Sequence, residues 1–176
     1  QMFDRIVYEL DIPLDKEYLV KLWREDLEAF RKLRKVVRQD TRRFVHWLYR
    51  EHGVLAIPMF TGFRSYHVTV LLPSPLPAEC YEEAWGILKA GFEFTDMRPL
   101  IKDLLGIELE DPAFTLDESS SDVKHVFRAP YTVHGKSGKP SILLDPRDFS
   151  PLKAREALEF LMENERVMPM VFRLLK

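Results

Sequence analysis

Apolar and polar residues alternate from Ile6 to Ile12, with Ile6, Tyr8, Leu10 and Ile12 on one face and Val7, Glu9 and Asp11 on the other, which predicts a half-buried strand. The period then changes. Behind Asp15, a helix N-cap type, Leu19, Trp23, Leu27, Phe30 and Val37 recur at helical spacing, and Phe44, Val45, Leu48 and Tyr49 continue the pattern to Gly53. Two helices packed on one sheet face are expected. Residues 54–60 and 66–72 read as strands around a turn at 61–65, with His67 and Thr69 on one face and Val68 and Val70 on the other. This hairpin would aim His67 at Glu9 and Asp11, and Pro73, Pro75 and Pro77 are expected to end it. Helices are predicted over 79–90 and 98–105, and a loop over 108–121 delivers Asp117. Strands are predicted over 123–128 and 141–144, around a turn at 134–138. An amphipathic helix follows over 151–163, through Leu152, Ala157, Leu158 and Leu161.

The mixture of strands and helices predicts an α+β fold, and 176 residues without a repeat, linker or low-complexity segment predict a single domain over 1–176. A net charge of −2 argues against a chain that coats nucleic acid indiscriminately, so any such contact is expected through a local patch. The one cysteine, Cys80, allows neither an intrachain disulfide nor a Cys-rich zinc site. No apolar run approaches the roughly 20 residues of a membrane span, so the cytoplasm is the expected compartment and no membrane partner is expected.

Two carboxylates on one strand face, Glu9 and Asp11, are costly unless a cation lies between them, and hard divalent ions take oxygen ligands. A third carboxylate, Asp117, precedes a run of Arg128, Tyr131, Thr132, His134, Lys136 and Ser137. An earlier run carries Thr61, Gly62, Arg64, Ser65 and His67. Acids for metal, cations for phosphate and hydroxyls for orientation form the inventory of two-metal phosphoryl or nucleotidyl transfer. A charge run on a helix is more often a solvated face than a binding surface. The cations Arg31, Lys32, Arg34, Lys35, Arg38, Arg42 and Arg43 therefore read first as wet, with nucleic-acid contact the lesser reading.

The order of these motifs resembles the archaeo-eukaryotic primase, or primase-polymerase, superfamily, and in particular the catalytic core of the archaeal and eukaryotic primase small subunit. Its members read acid-x-acid on a strand, then Ser-Gly-x-Arg-Gly-x-His, then Asp upstream of Arg/Lys-x-Pro-x-Ser-x-His-x-Lys-x-Gly. Here the corresponding residues are Glu9-Leu10-Asp11, Thr61-Gly62-Phe63-Arg64-Ser65-Tyr66-His67 and Leu116-Asp117-Glu118. The last motif falls within a block from Asp122 through His125, Arg128, Pro130, Thr132 and His134 to Lys136. The resemblance implies an RRM-like, antiparallel-rich sheet with packed helices. It also implies Mg²⁺ or Mn²⁺ held by Glu9, Asp11 and Asp117, and a nucleoside triphosphate held by Thr61, Arg64, His67, Arg128, His134 and Lys136. The implied activity is a DNA primase/polymerase, a template-dependent nucleotidyltransferase acting with a DNA or RNA template and primer and a larger primase or replication subunit. Glu9 stands where Asp is usual, adding a methylene, and Thr61 and Ser65 stand where Ser and Gly are usual. Glu9, and a chain shorter than cellular primase small subunits, favour the alternative of a catalytically degenerate subunit that binds nucleotide or nucleic acid within a replication or repair complex.

Overall fold

A computed structural model describes residues 2–125 and 127–156. Strand β1 (Met2–Leu10) leads into helices α1 (Lys16–Glu25) and α2 (Leu27–His52), then β2 (Ala56–Phe60) and β3 (Tyr66–Pro77). Helices α3 (Tyr81–Lys89) and α4 (Arg98–Leu105) follow, then the short strands β4 (Leu116–Asp117) and β5 (Ile142–Leu143). The five strands form one antiparallel sheet in the order β4-β1-β3-β2-β5. The first four strands and the helices between them make a βαββαβ unit ordered β4-β1-β3-β2, the RRM-like α+β arrangement the sequence anticipates.

The helices form for local reasons. The Asp15 carboxylate accepts from Glu17 N–H and Tyr18 N–H at the start of α1, Asp26 accepts from Ala29 N–H at the start of α2, and Gly53, at φ 64°, ends α2 in the left-handed conformation. The apolar stripe of α2, with Phe30, Leu33, Val37, Phe44 and Leu48, packs on Ile6, Tyr8, Leu10, Val68 and Val70. Tyr8 lies between Phe44 and Trp85, with ring centroids 5.0 and 5.2 Å away. Because β4 is only two residues long, the outer edge of β1 at Val7 lacks a strand partner. Tyr81 Oη accepts from Val7 N–H at 3.1 Å, and Trp85 Nε1–H donates to Val7 C=O at 3.2 Å. All three aromatic partners, Phe44, Tyr81 and Trp85, come from helices, so the core also seals the sheet edge.

The structure departs from the sequence pattern at three places. First, β3 does not end at the prolines. Phe3 pairs with Leu76 while Arg5 pairs with Leu71, so the four residues 72–75 stand against the single Asp4, an excess of three. Pro73 and Pro75, which have no N–H for a ladder, fall in that exposed excess, and the strand resumes to Pro77. Second, the strand predicted over 123–128 is absent among its described residues; His125 N–H instead closes a turn on Asp122 C=O at 2.9 Å, and Val126 lies outside the described residues. Third, β1 stops at Leu10. Asp11 continues as a single link, its N–H donating to Thr115 C=O at 2.7 Å. Most of the helix predicted over 151–163 lies outside the described residues. No helix among them is long and apolar enough to cross a membrane.

Candidate functional site

Strand register places Asp117, Glu9, His67, Met59 and Leu143 in one transverse row across β4, β1, β3, β2 and β5. Directly opposed residues share a face. This row lies on the face away from the helices and divides in two. Met59 and Leu143 sit beside Ile57, which packs with Leu71 and Leu143, while Asp117, Glu9 and His67 form the polar half.

Within that half, His67 Nε2 lies 3.8 Å from Glu9 Oε1, and His125 Nε2 lies 3.2 Å from Glu9 Oε2. Burial alone would raise the Glu9 carboxyl; His67, Ser65 and His125 outweigh it and hold the group down at about 2. Asp11, just past the strand, accepts from Ile12 N–H at 2.7 Å and pairs with Arg64 Nη2 at 3.0 Å. Burial pushes its carboxyl up to about 7, helped by the charges of Glu9 and Asp117 and opposed by Arg64 and Ile12 N–H. Asp117 accepts from Ser119 N–H at 2.9 Å and caps a short 3₁₀ turn over Glu118–Ser121.

The turn at 61–65 is fixed from within and below. Thr61 Oγ1–H donates to Ser65 C=O at 2.9 Å, and the Ser65 hydroxyl lies 2.9 Å from the same Oγ1. The buried Ser65 hydroxyl is therefore held within the turn, while the residue also lines a cleft beside Glu9. Phe63 stacks on Phe30 at 5.2 Å, and Arg34 donates to Phe63 C=O at 3.1 Å. Gly62 has φ 99°, and a Cβ there would meet Lys139 C=O at 2.7 Å, so only glycine fits. Across this gap Ser137 Oγ–H donates to Gly62 C=O at 2.7 Å, locking the second basic run onto the first.

His134 organises that second run. Its Nδ1 accepts from Lys136 N–H at 3.2 Å, which fixes the neutral ring with its proton on Nε2. Burial lowers its pKa first, and the charges of Arg128, Lys16, Arg64 and Lys136 lower it further. Four cations thus surround one imidazole. Arg128 donates to Val133 C=O at 3.2 Å, and no carboxylate pairs with it among the described residues, so neither Asp117 nor Asp122 neutralises it.

These residues line two clefts. The larger, about 470 Å³, is walled by Glu9, Thr61, Arg64, His67, Arg128 and His134, together with Lys16, Ser65 and Phe127. The smaller, about 370 Å³, holds Asp11, Asp117, Asp15 and Glu118, and Arg64 lines it too. Of the nine residues that the resemblance assigns to metal or triphosphate, Lys136 alone lines neither of these clefts; it stands exposed on its turn. Sequence reasoning gave no role to His125, Lys16 or Phe127. His125 and Phe127 sit on irregular chain and Lys16 opens α1, so no periodicity marks them. Among the described residues no three His, Cys, Asp or Glu side chains converge as a finished metal cage.

No protein-family model and no curated protein matches the sequence. Among solved structures, the chain is similar to the polymerase domain of Ligase D from Mycobacterium tuberculosis, determined in complex with DNA, with a TM-score of 0.47 and 16% identity. The similarity covers 92% of this chain and 52% of that one, so this chain spans about half its length.

Proposed function

We propose that the chain is a primase-polymerase-type nucleotidyltransferase that joins nucleoside triphosphates to a DNA or RNA primer on a template, working beside a larger replication subunit. The observation that carries this reading is the adjacency of a cation-lined cleft to three carboxylates, Glu9 and Asp117 on one sheet face and Asp11 just past the strand. The donor set fits a hard divalent cation such as Mg²⁺ or Mn²⁺, because oxygen ligands suit it and a cation relieves the charges of Glu9 and Asp117 that add to burial in raising Asp11. Glu9, Asp11 and Asp117 would hold it, and once bound it would neutralise phosphate charge and acidify the attacking hydroxyl.

The chain's own residues supply the rest. Arg64, Arg128 and the His134 Nε2–H hold the triphosphate, Lys136 reaches its outer end, and the Thr61 hydroxyl keeps the turn that aims Arg64. His67 and His125 keep Glu9 ionised. A second reading, a catalytically degenerate subunit that binds nucleotide or nucleic acid in a replication or repair complex, is favoured by one observation: Glu9 and Asp11 are already engaged by His125 and Arg64.

The test uses labelled nucleotides with Mn²⁺ on primed and unprimed templates, alongside calorimetric titration of the triphosphate. Incorporation supports the enzyme, and binding without incorporation supports the degenerate subunit. Absence of both overturns the cleft as a nucleotide site.

A further inference from the structure

Helix α2 carries eight of the chain's cations between Glu28 and Glu51, and the structure separates them into two kinds. Lys32 pairs with Glu28, Arg43 with Asp40 and Arg50 with Glu51, while Arg34 is spent on Phe63 C=O. Arg31, Lys35 and Arg42 are exposed and have no carboxylate partner among the described residues, and Arg38 between them is exposed with one nitrogen on Phe149 C=O. These four stand at spacings of four, three and four, so they share one helix face. The lone acid between Glu28 and Glu51 is Asp40. It is buried and accepts from Thr95 and Thr115. The face is therefore purely cationic, although the chain as a whole carries −2.

We propose that the face of α2 formed by Arg31, Lys35, Arg38 and Arg42 binds the phosphate backbone of a nucleic-acid duplex alongside the nucleotide cleft. At 1.5 Å per residue the row is about 16 Å long, which equals the axial rise of about five base pairs of a duplex. No aromatic side chain interrupts it. Phe30 and Phe44 of the same helix are buried, so the stacking platform that single strands need is missing from this stretch. The row itself lines neither cleft, but it is tied to the turn that does: Arg34, beside it on the helix, donates to Phe63 C=O, the residue before Arg64. A duplex held here runs past the turn that lines the nucleotide cleft. Seven sequence-adjacent cations on a helix would ordinarily be a wet face. The selective pairing of those off this row, and the lack of pairing on it, singles out the four.

The choice of a nucleic acid as the polyanion rests on the nucleotidyltransferase reading, and the experiment keeps the two separable. Fluorescence anisotropy with a labelled duplex and the matching single strand is measured over a salt series. The triple variant Arg31→Ala/Lys35→Ala/Arg42→Ala is compared with wild type, and Mn²⁺-triphosphate calorimetry and melting are run on both. Wild type is expected to prefer the duplex, with log affinity falling against log salt with a slope between about −3 and −4. In the triple variant, Arg38 alone remains; the slope is expected to fall to about −1 and the affinity at least tenfold, with triphosphate binding and melting unchanged. Alanine favours helix, so the exposed substitutions preserve α2. Absence of duplex binding in wild type, or unchanged duplex affinity and slope in the variant, overturns the proposal. So does single-strand binding that matches the duplex and ignores the variant. Loss of duplex binding in the variant upholds it even when no triphosphate binds to either protein.

Discussion

Arg64 and Asp11 form a 3.0 Å ion pair that stands between the two clefts, with Arg64 lining both and Asp11 lining the acidic one. Arg64 therefore has two competing anionic partners, the carboxylate it now holds and a phosphate in the larger cleft. Asp11 is correspondingly shielded from a cation while the pair is closed.

The raised Asp11 carboxyl makes the stability of the metal-free protein pH-dependent. A carboxyl lifted from 3.8 to about 7 contributes stability that is complete below about pH 4 and is lost as pH rises through 7. Asp11→Asn, neutral at every pH, is expected to melt above wild type at pH 8 by about 2–4 °C, on the order of 1 kcal/mol, and to show no such gain at pH 4. Its nucleotide incorporation is expected to be abolished. Melting curves at the two pH values check the first part; full incorporation by the variant would sink the carboxylate assignment.

Triphosphate affinity is expected to need both basic runs, since charge-assisted hydrogen bonds are worth about 1.5–3 kcal/mol each. Arg64→Ala and His134→Ala should each weaken binding about tenfold or more in calorimetric titration with Mn²⁺. Arg64→Lys keeps the charge without the guanidinium fork and should recover only part of the loss. Wild-type affinity in both alanine variants would remove the cleft from the account.

Glu9 is one methylene longer than the usual acid of the resembled family and reaches His125 at 3.2 Å. Glu9→Asp shortens that reach and withdraws the carboxylate from the histidine. Incorporation equal to or above wild type is expected if the longer side chain only retunes the site. Wild type and variant both silent, with triphosphate still bound, would point to the degenerate subunit.

Asp40 joins α2 to the segment that delivers Asp117. Its carboxylate accepts from Thr95 N–H at 2.7 Å, Thr95 Oγ1–H at 2.8 Å, Thr115 Oγ1–H at 2.7 Å and Arg43 Nη1–H at 2.7 Å. Asp40→Ala would leave buried hydroxyls and an amide unpaired and is expected to cost about 3–5 kcal/mol. Chemical denaturation measures it; a loss below about 1 kcal/mol would mean the network is dispensable.

Alternation in 6–12 and 66–72 determined by itself which residues share a face, because the pleat sends neighbours to opposite sides whatever the partner strand. Glu9 and His67 are thus on polar positions of their strands from sequence alone, and helical spacing did the same for Phe30, Val37 and Phe44. The rest depended on pairing over long chain separations. That Glu9 lies opposite both His67 and Asp117 is a matter of strand order and register, and β4, at two residues, is too short to have a period. The prolines of β3 looked like an end because a proline cannot donate to a ladder, yet tertiary register left the stretch around them unpaired and let the strand continue. His125 and Lys16 reached the site from a turn and a helix start, and Arg31, Lys35 and Arg42 differed from their neighbours only once the carboxylates were placed in space. Charge pairing depends on three-dimensional distance, which a one-dimensional pattern does not carry.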